Sequence, residues 1–381
     1  MKLSILIPSL EKGGIERSIS RISRGLLDKG WDIELLVEKF SNEGTVFFDE
    51  RVYIKKFNAG SFNQNSNIIF LIFKNMILFF SVLKYLNKSN TDILLVAKNT
   101  PLGVLVKKFS SNTFKLVIRE PVNPSSASKI QRSFLSRKIL NLIKRISYPS
   151  ANKIIAISYG VKDSLISLLD LSPDSIEVIY NPAADSRIKE LANSEVPPEY
   201  RKDHHPTVIT IGRLTPQKDH MTLIKAFERV LESIDARLLI IGEGQERKKL
   251  EKYIQQNKLS DNIKLLGYMS NPWKFLKNSD LFVLSSLWEG FGNVIVEAMY
   301  LGVPVVSSDC ESGPSEILNG GELGHLFKVG NDVQLSEIIT SSLSEKERYL
   351  DIVNSAQRKS EEYSIETITE QYEAVFSDII L

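Results

Sequence analysis

The sequence predicts an α/β protein made of two consecutive domains, each a doubly wound parallel sheet. Three observations carry that reading. Short β-branched runs alternate with longer amphipathic stretches, as they do when strands are buried on both faces between helices. The alternation stops after Asn181-Pro182 and restarts at Thr207. The chain has 381 residues, too many for one ordinary domain and enough for two.

In chain order, Lys2–Pro8, Asp32–Val37, Asp92–Ala97, Lys115–Glu120, Lys153–Ile157 and Ile176–Ile179 read as strands, separated by helical patterns such as Ile15–Lys29. They delimit a first domain over 1–182. Residues 183–206 are polar, contain Pro197-Pro198 and end in His204-His205-Pro206, which reads as a linker with little core of its own. Thr207–Ile211, Arg237–Ile241, Ile263–Leu265, Leu281–Leu284 and Val303–Val306 then supply the strands of a second domain over 207–360. Residues 361–381 are expected to form a C-terminal helix that packs back towards the first domain. In such an arrangement the default ligand site is the cleft facing the carboxyl ends of both sheets.

Composition narrows the class. At 43% hydrophobic and 25% charged residues the chain is an average globular protein, not a disordered or collagen-like one. Its one cysteine, Cys310, rules out an internal disulfide or a multi-cysteine metal site. The apolar run after Met1 is too short for a signal peptide and lacks a small-residue cleavage site, so a cytoplasmic location is expected. Residues 1–185 hold 26 Lys and Arg against 16 Asp and Glu, a balance of +10, and the remainder 22 against 30, a balance of −8. That asymmetry either directs the first half towards something anionic or is uneven surface charge with no partner.

Two glycine loops sit at strand ends. Gly13-Gly14 follows the first strand and opens a helix; Gly242-Glu243-Gly244 follows Arg237–Ile241. Each would let backbone amides approach a phosphate, and a tight strand-to-helix turn explains each equally well. The most informative stretch is Ser285 to Met299, where Glu289 and Glu297 flank Gly290-Phe291-Gly292-Asn293-Val294. One carboxylate in a loop and another inside the next helix can accept hydrogen bonds from hydroxyls of one ligand, with a helix N-terminus near Asn293 facing an anion. In the plainer alternative both glutamates are solvated, or Glu297 pairs with a surface lysine.

Taken in order, Gly13-Gly14, Gly212-Arg213-Leu214 with Lys218, Gly242-Glu243-Gly244, Glu289-Gly290-Phe291-Gly292 with Glu297, Gly302-Val303-Pro304-Val305-Val306 and Ser312-Gly313-Pro314-Ser315-Glu316-Ile317 resemble the retaining glycosyltransferases of the GT-B fold, specifically family 4. The resemblance covers essentially the whole chain and implies two Rossmann-like domains facing each other across a cleft. It implies that Arg213 and Lys218 clamp the diphosphate of a UDP-sugar, a leaving group whose negative charge grows in the transition state. Glu297 would hold the ribose hydroxyls and Glu289 the sugar hydroxyls. Gly242, Glu243 and Gly290 to Val294 would line the donor, and Gly13 and Gly14 would leave it room. Retention in this family is written as front-face attack, with the departing phosphate taking the acceptor proton, so no protein nucleophile is required. No Asp-x-Asp motif occurs; no metal and no cofactor are expected, Arg213 and Lys218 supplying the charge instead.

One departure stands out. Many relatives carry a histidine in the loop after the strand that corresponds here to Lys115–Ile118, where this chain has Arg119-Glu120-Pro121-Val122-Asn123-Pro124. A similar loop occurs in the branch that handles N-acetylhexosamines and galactose and builds lipid-linked or surface polysaccharides. Glu120 is therefore a candidate for orienting acceptor or donor; the alternative is pairing with Arg119 or Lys98.

The first domain carries two further features. Fifteen of nineteen residues in Ile68–Leu86 are apolar, but Lys74, Ser81, Lys84 and Lys88 share one helical stripe, which argues for a packed helix rather than a membrane span. Lys129–Ile146 has six basic residues and no acidic one, with Leu135, Ile139, Leu142, Ile143 and Ile146 on one helical face and Arg137, Lys138, Lys144 and Arg145 opposite. Such a helix suits an anionic membrane surface or a solvated face over a buried stripe. Together these features favour a peripheral enzyme with a polyprenyl-pyrophosphate or other lipid-linked saccharide acceptor, the alternative being a soluble acceptor or another nucleotide-sugar. A basic nucleic-acid-binding or membrane-binding non-enzyme would leave the Arg213, Lys218, Glu289 and Glu297 constellation unexplained, and no nucleic-acid reading motif is present. A nicotinamide dehydrogenase would need an intact glycine fingerprint, which Arg247 interrupts. A phosphorylase of similar fold, with a Schiff-base lysine, stays open from sequence.

Overall fold

The computed structural model describes residues 1–381 except 8, 11–12, 41–46, 58–67, 126–133 and 201–204. The described chain forms two compact units, Met1–Pro182 with Ile365–Leu381, and Ala183–Ser364.

The first unit is built on a seven-stranded sheet in the order β5-β3-β1-β6-β7-β8-β9. Its strands are β1 (Lys2–Leu6), β3 (Asp32–Val37), β5 (Tyr53–Lys56), β6 (Ile93–Val96), β7 (Lys115–Glu120), β8 (Lys153–Ala156) and β9 (Ile176–Val178). All neighbours are parallel, and β2 (Ser9–Leu10) pairs separately with β4 (Lys39–Phe40). The edge strand β5, Tyr53-Ile54-Lys55-Lys56, is only four residues long and half lysine, which is why the hydrophobic runs of the sequence miss it. Its helices are α1 (Gly14–Asp28), α2 (Ile68–Leu86), α3 (Thr100–Phe109), α4 (Phe134–Ser147) and α5 (Tyr159–Leu169). The C-terminal helix Ile365–Ile380 completes this unit. Its Ile368, Tyr372 and Phe376 are wholly buried in the same core as Leu3, Ile22 and Trp31, and the Phe376 ring lies 5.5 Å from that of Trp31. Arg119, fully enclosed, donates to the Tyr372 hydroxyl at 3.0 Å and to Asn181 Oδ1, as a buried cation requires.

The second unit has a six-stranded parallel sheet, β12-β11-β10-β13-β14-β15: β10 (Thr207–Ile211), β11 (Arg237–Ile241), β12 (Ile263–Gly267), β13 (Leu281–Leu284), β14 (Val305–Ser308) and β15 (His325–Phe327). Residues 183–206 differ from the expected linker. They contribute α6 (Ser186–Ala192), capped by Asp185 Oδ1 accepting from Arg187 N, and bury Ala183, Ala184, Ile188, Ala192 and Val196. Lys277 Nζ donates to Asn193 Oδ1 at 2.6 Å and Lys274 Nζ to the Glu195 carbonyl at 2.9 Å. An i, i+4 apolar pair, Ile188 and Ala192, is enough to seat a short helix, and the polar residues around it hide that pair in the sequence.

In α4 the apolar face is not a buried stripe, one of the two alternatives the sequence left open: Leu142, Ile143 and Ile146 are 58, 39 and 69% exposed. Lys144, expected on the outer face, turns inward to Glu120 at 2.9 Å. The buried carboxylate needs a cation, and that requirement decides which face of the helix turns in. Residues 129–133 of the basic segment lie outside the described residues, as do the side chains of Leu135, Arg137 and Ile139. In α2, Leu78, Val82 and Leu86 are buried while Phe73, Met76 and Phe80 are about half exposed. Among the described residues no helix is long and apolar enough to cross a membrane.

Candidate active site

The strand order of the second unit reverses between β10 and β13. The chain leaves β10 towards β11 on one side and returns to β13 on the other, which opens a crevice outside the carboxyl ends of these two strands. The loops leaving those ends carry most of the expected donor-site residues.

After β10 come Gly212, Arg213 and Leu214, a single turn over Pro216–Lys218, and helix α7 (His220–Val230). Leu214 is buried and anchors the loop, while Arg213 is exposed. After β13 come Ser285 and Ser286, both buried. Ser285 Oγ lies 2.9 Å from the Lys218 carbonyl and 3.0 Å from that of Asp219. Leu287 N donates to the Gln217 carbonyl at 2.8 Å, and Gln217 Nε2 to the Trp288 carbonyl at 2.9 Å. These bonds tie the β13 loop to the β10 loop and bring Lys218 and Glu289, expected in separate roles, together. Lys218 Nζ donates to Glu289 Oε1, and Ser286 Oγ donates to the same oxygen at 2.7 Å. The side chains of Lys218 and Glu289 are 15 and 9% exposed. Glu289 is therefore neither solvated nor a surface residue.

Glycines let the neighbouring loops close in. At Gly242 a Cβ would sit 1.9 Å from the Gly212 carbonyl oxygen, and at Gly313, with φ +92°, 1.9 Å from the Phe291 carbonyl oxygen. The first contact sets the β11 loop on the β10 loop, and the second sets the β14 loop on Gly290-Phe291-Gly292. Ser308 Oγ reinforces the second by donating to the Ser286 carbonyl at 2.6 Å. Phe291 is buried with its ring 5.5 Å from Tyr363, Gly292 caps helix α8 (Asn293–Tyr300), and Val294 lies in its first turn.

The remaining predicted residues divide. Glu297, inside α8, is 1% exposed and accepts from Trp273 Nε1 at 2.9 Å, so it pairs with an indole rather than with a surface lysine. Glu243 is exposed and accepts from Arg247 at 2.6 Å, one turn away. Glu120, Gly13 and Gly14 belong to the first unit. There Glu120 is buried and accepts from Lys144 and from the Tyr148 hydroxyl, not from Arg119 or Lys98. Lys98 instead pairs with Glu16 at 2.6 Å, and a Cβ at Gly13 would meet Glu16 Oε2 at 2.6 Å.

Sequence reasoning missed Ser286, Gln217, Trp273 and His220. Ser286 had a signal, a hydroxyl directly after an apolar strand; Trp273 comes from a helix far along the chain and had none. His220 is 3% exposed, with Nε2 3.3 Å from the Arg213 carbonyl and no partner for Nδ1 among the described residues. Burial, with the nearby Lys218 ammonium, lowers its pKa to about 4, so the ring is neutral and donates to the Arg213 carbonyl. Burial and then the Glu289 carboxylate push the Cys310 thiol up to about 12, which removes it as a nucleophile at neutral pH. Burial also raises Asp219, against two bonds from Thr222.

Chemically, the crevice offers a cation held by a carboxylate, an exposed guanidinium, and a carboxylate whose second oxygen accepts no hydrogen bond from the described residues. Residues 194–359 match the family of glycosyl transferases group 1, and residues 12–187 match glycosyltransferase family 4. An uncharacterised glycosyltransferase of Methanocaldococcus jannaschii is 32% identical over 303 residues, 76% of this chain and 74% of that one. The chain belongs to glycosyltransferase family 4. An N-acetylgalactosamine-N,N'-diacetylbacillosaminyl-diphospho-undecaprenol 4-alpha-N-acetylgalactosaminyltransferase of Campylobacter jejuni is 27% identical to this glycosyltransferase over 344 residues, 90% of each chain. The crystal structure of Anabaena HepE in complex with UDP-glucose superposes on the glycosyltransferase with a TM-score of 0.81 at 20% identity, over 99% of this chain and 100% of that one. Sucrose-phosphate synthase of Thermosynechococcus elongatus does so with 0.81 at 15% identity, over 100 and 99%. The fold is GT-B.

Proposed function

We propose that this glycosyltransferase moves an N-acetylhexosamine or galactose from a UDP-sugar to a hydroxyl of a lipid-linked saccharide, with retention and without a metal. The observation that carries the reading is the Lys218–Glu289–Ser286 cluster at the β10/β13 crevice, beside the exposed Arg213. An arriving diphosphate competes with Glu289 for the Lys218 ammonium. Lys218 and Arg213 then meet the charge that grows on the leaving UDP, and Glu289, released from Lys218, accepts hydrogen bonds from the sugar hydroxyls. Trp273 keeps Glu297 oriented for the ribose. Attack from the front face, with the departing phosphate taking the acceptor proton, needs no protein nucleophile, and Cys310 with its raised pKa offers none.

The activities for which the relatives are named support donor and acceptor class: the Campylobacter enzyme bears a diphospho-undecaprenol acceptor in its name, and a lipopolysaccharide 1,6-galactosyltransferase of Salmonella typhimurium is 32% identical over 182 residues, 46% of this chain and 48% of that one. Peripheral attachment at the inner face of the membrane is supported by the exposed Leu142, Ile143 and Ile146 beside exposed Lys138 and Arg145, apolar and basic groups of the kind that enter an anionic interface. The deciding experiment incubates the enzyme with UDP-N-acetylglucosamine, UDP-N-acetylgalactosamine or UDP-galactose, a polyprenyl-diphosphate disaccharide and EDTA, and reads UDP release and the anomer of the product. UDP release with an α-anomeric product is expected. Loss of turnover on chelation, or an inverted anomer, overturns the corresponding part of the proposal, and turnover only with water-soluble acceptors overturns the lipid-linked part.

A further inference from the structure

The polar stripe of α2 is exposed at Lys84, as is Lys88 just beyond the helix, and borders an open concavity. This cavity of about 950 Å³ in the first unit is also lined by Lys2, Lys55 and Phe57. Ser81, Lys84 and Tyr85 reach it from the end of the helix at i, i+3 and i+4 spacing, and Lys88 from the turn that follows Leu86. Lys55 and Phe57 come from the edge strand β5 and the residue beyond it. None of the residues assigned above to donor binding or catalysis lines this cavity.

The charges around the cavity are unequally committed. Lys2 Nζ is held by Glu34 Oε2 at 2.8 Å, and Glu34, fully buried, also accepts from the Tyr85 hydroxyl at 2.8 Å and from Ser4. Asp92, one of two lining carboxylates, accepts from the Lys2 backbone N–H at 2.7 Å, and Asp32 is the other. Lys55, Lys84 and Lys88 have no carboxylate within 4.0 Å among the described residues; Lys55 Nζ instead lies 5.3 Å from the centroid of the Tyr85 ring. The Tyr85 phenol, pushed up by burial and by Glu34, stays neutral and adds no negative charge.

Three ammonium groups without an ion-pair partner outnumber the two lining carboxylates, Asp32 and Asp92, and with a neutral aromatic wall they suit a compact anion. The volume is within the range of small-molecule sites. We propose that this cavity is a second ligand site, separate from the donor crevice, for a soluble small molecule carrying two or more linked phosphoryl groups. Lys55, Lys84 and Lys88 contact the phosphoryl oxygens, and Tyr85, fixed by Glu34, forms the wall against which they close.

Inorganic tripolyphosphate is the probe. Because the donor crevice also attracts diphosphates, calorimetric titration is done in an Arg213→Ala/Lys218→Met background, with and without Lys55→Gln, Lys84→Gln and Lys88→Gln. The expected result is one tripolyphosphate bound per chain in the background protein, weakened at least about tenfold by the lysine substitutions, with a dependence on salt. The lysine substitutions alone should leave transfer without tripolyphosphate unchanged and should preserve the circular dichroism spectrum. No binding in the background protein, or equal affinity with and without the three lysines, overturns the site. Lysine-dependent sedimentation with phosphatidic acid vesicles but no tripolyphosphate binding overturns the soluble ligand in favour of a lipid headgroup.

Discussion

The contact between Lys218 and Glu289 can be tested apart from catalysis by a double-mutant cycle: Lys218→Met, Glu289→Gln, and both together. The two side chains are 15 and 9% exposed, so each charge has lost most of its water. Removing one partner of a buried pair costs about 3–5 kcal/mol because the other charge is stranded, whereas replacing both is close to neutral. Residual solvent at Lys218, and the bond Ser286 keeps to Glu289, reduce the single-mutant cost to roughly 2–3 kcal/mol. With the double variant within about 1 kcal/mol of wild type, the coupling is at least about 2 kcal/mol. The chain has three tryptophans, of which Trp273 and Trp288 lie in the second unit and Trp31 in the first. In a Trp31→Phe background, urea unfolding followed by tryptophan emission therefore reports the second unit alone. Single-mutant losses that add to within about 0.5 kcal/mol in the double variant would refute the reasoning, since independent sites add to that precision. The double variant should also be inactive while folded, which separates the ion pair's structural contribution from the diphosphate contact.

The other predictions use the same reporters. Arg213→Ala, an exposed change, should lower kcat/KM at least about a hundredfold while shifting urea stability by less than about 0.5 kcal/mol; wild-type-like kinetics would remove its role. Gly313→Ala forces a side chain into left-handed backbone and against the Phe291 carbonyl, and should cost roughly 2–4 kcal/mol in the Trp273/Trp288 transition. His220 has its pKa lowered to about 4, so the unfolded chain binds the extra proton between about pH 6.5 and 4 and stability falls as pH falls through that window. Taking 6.5 unfolded and 4 folded, lowering the pH from 8 to 5 should cost about 2 kcal/mol that His220→Asn does not lose, measured as the difference of their urea midpoints at both pH values. Phe376→Ala should destabilise the first unit by about 3–5 kcal/mol, read as faster hydrogen exchange of β1 and α1 amides with no change in those of β10.

Much of the fold was legible in the residue order. Lys115–Glu120, Thr207–Ile211, Arg237–Ile241 and Leu281–Leu284 are strands at the predicted bounds, because central strands of a parallel sheet are apolar on both faces and bounded by polar turns. The strands β5 and β15 were not legible, since each has only three or four residues, with two lysines in the one and a histidine in the other. The site divided in the same way. Arg213, Lys218 and Glu289 were candidates because their motifs resemble the family's, and the structure adds where they sit, in the loops after β10 and β13.

What the sequence determined by itself was the alternation of strands and helices, the two-domain count and the motifs at the carboxyl ends of the strands. Only the tertiary structure decided which side chains those motifs meet. Glu297 meets Trp273 from 24 positions earlier, Lys218 meets Glu289 from 71 positions later, and Lys144 turns into the unit because Glu120 waits there without another cation. The physical reason is that a buried charge is satisfied by whatever partner the packing brings within about 3 Å. That distance depends on how sheets and helices stack, not on separation along the chain.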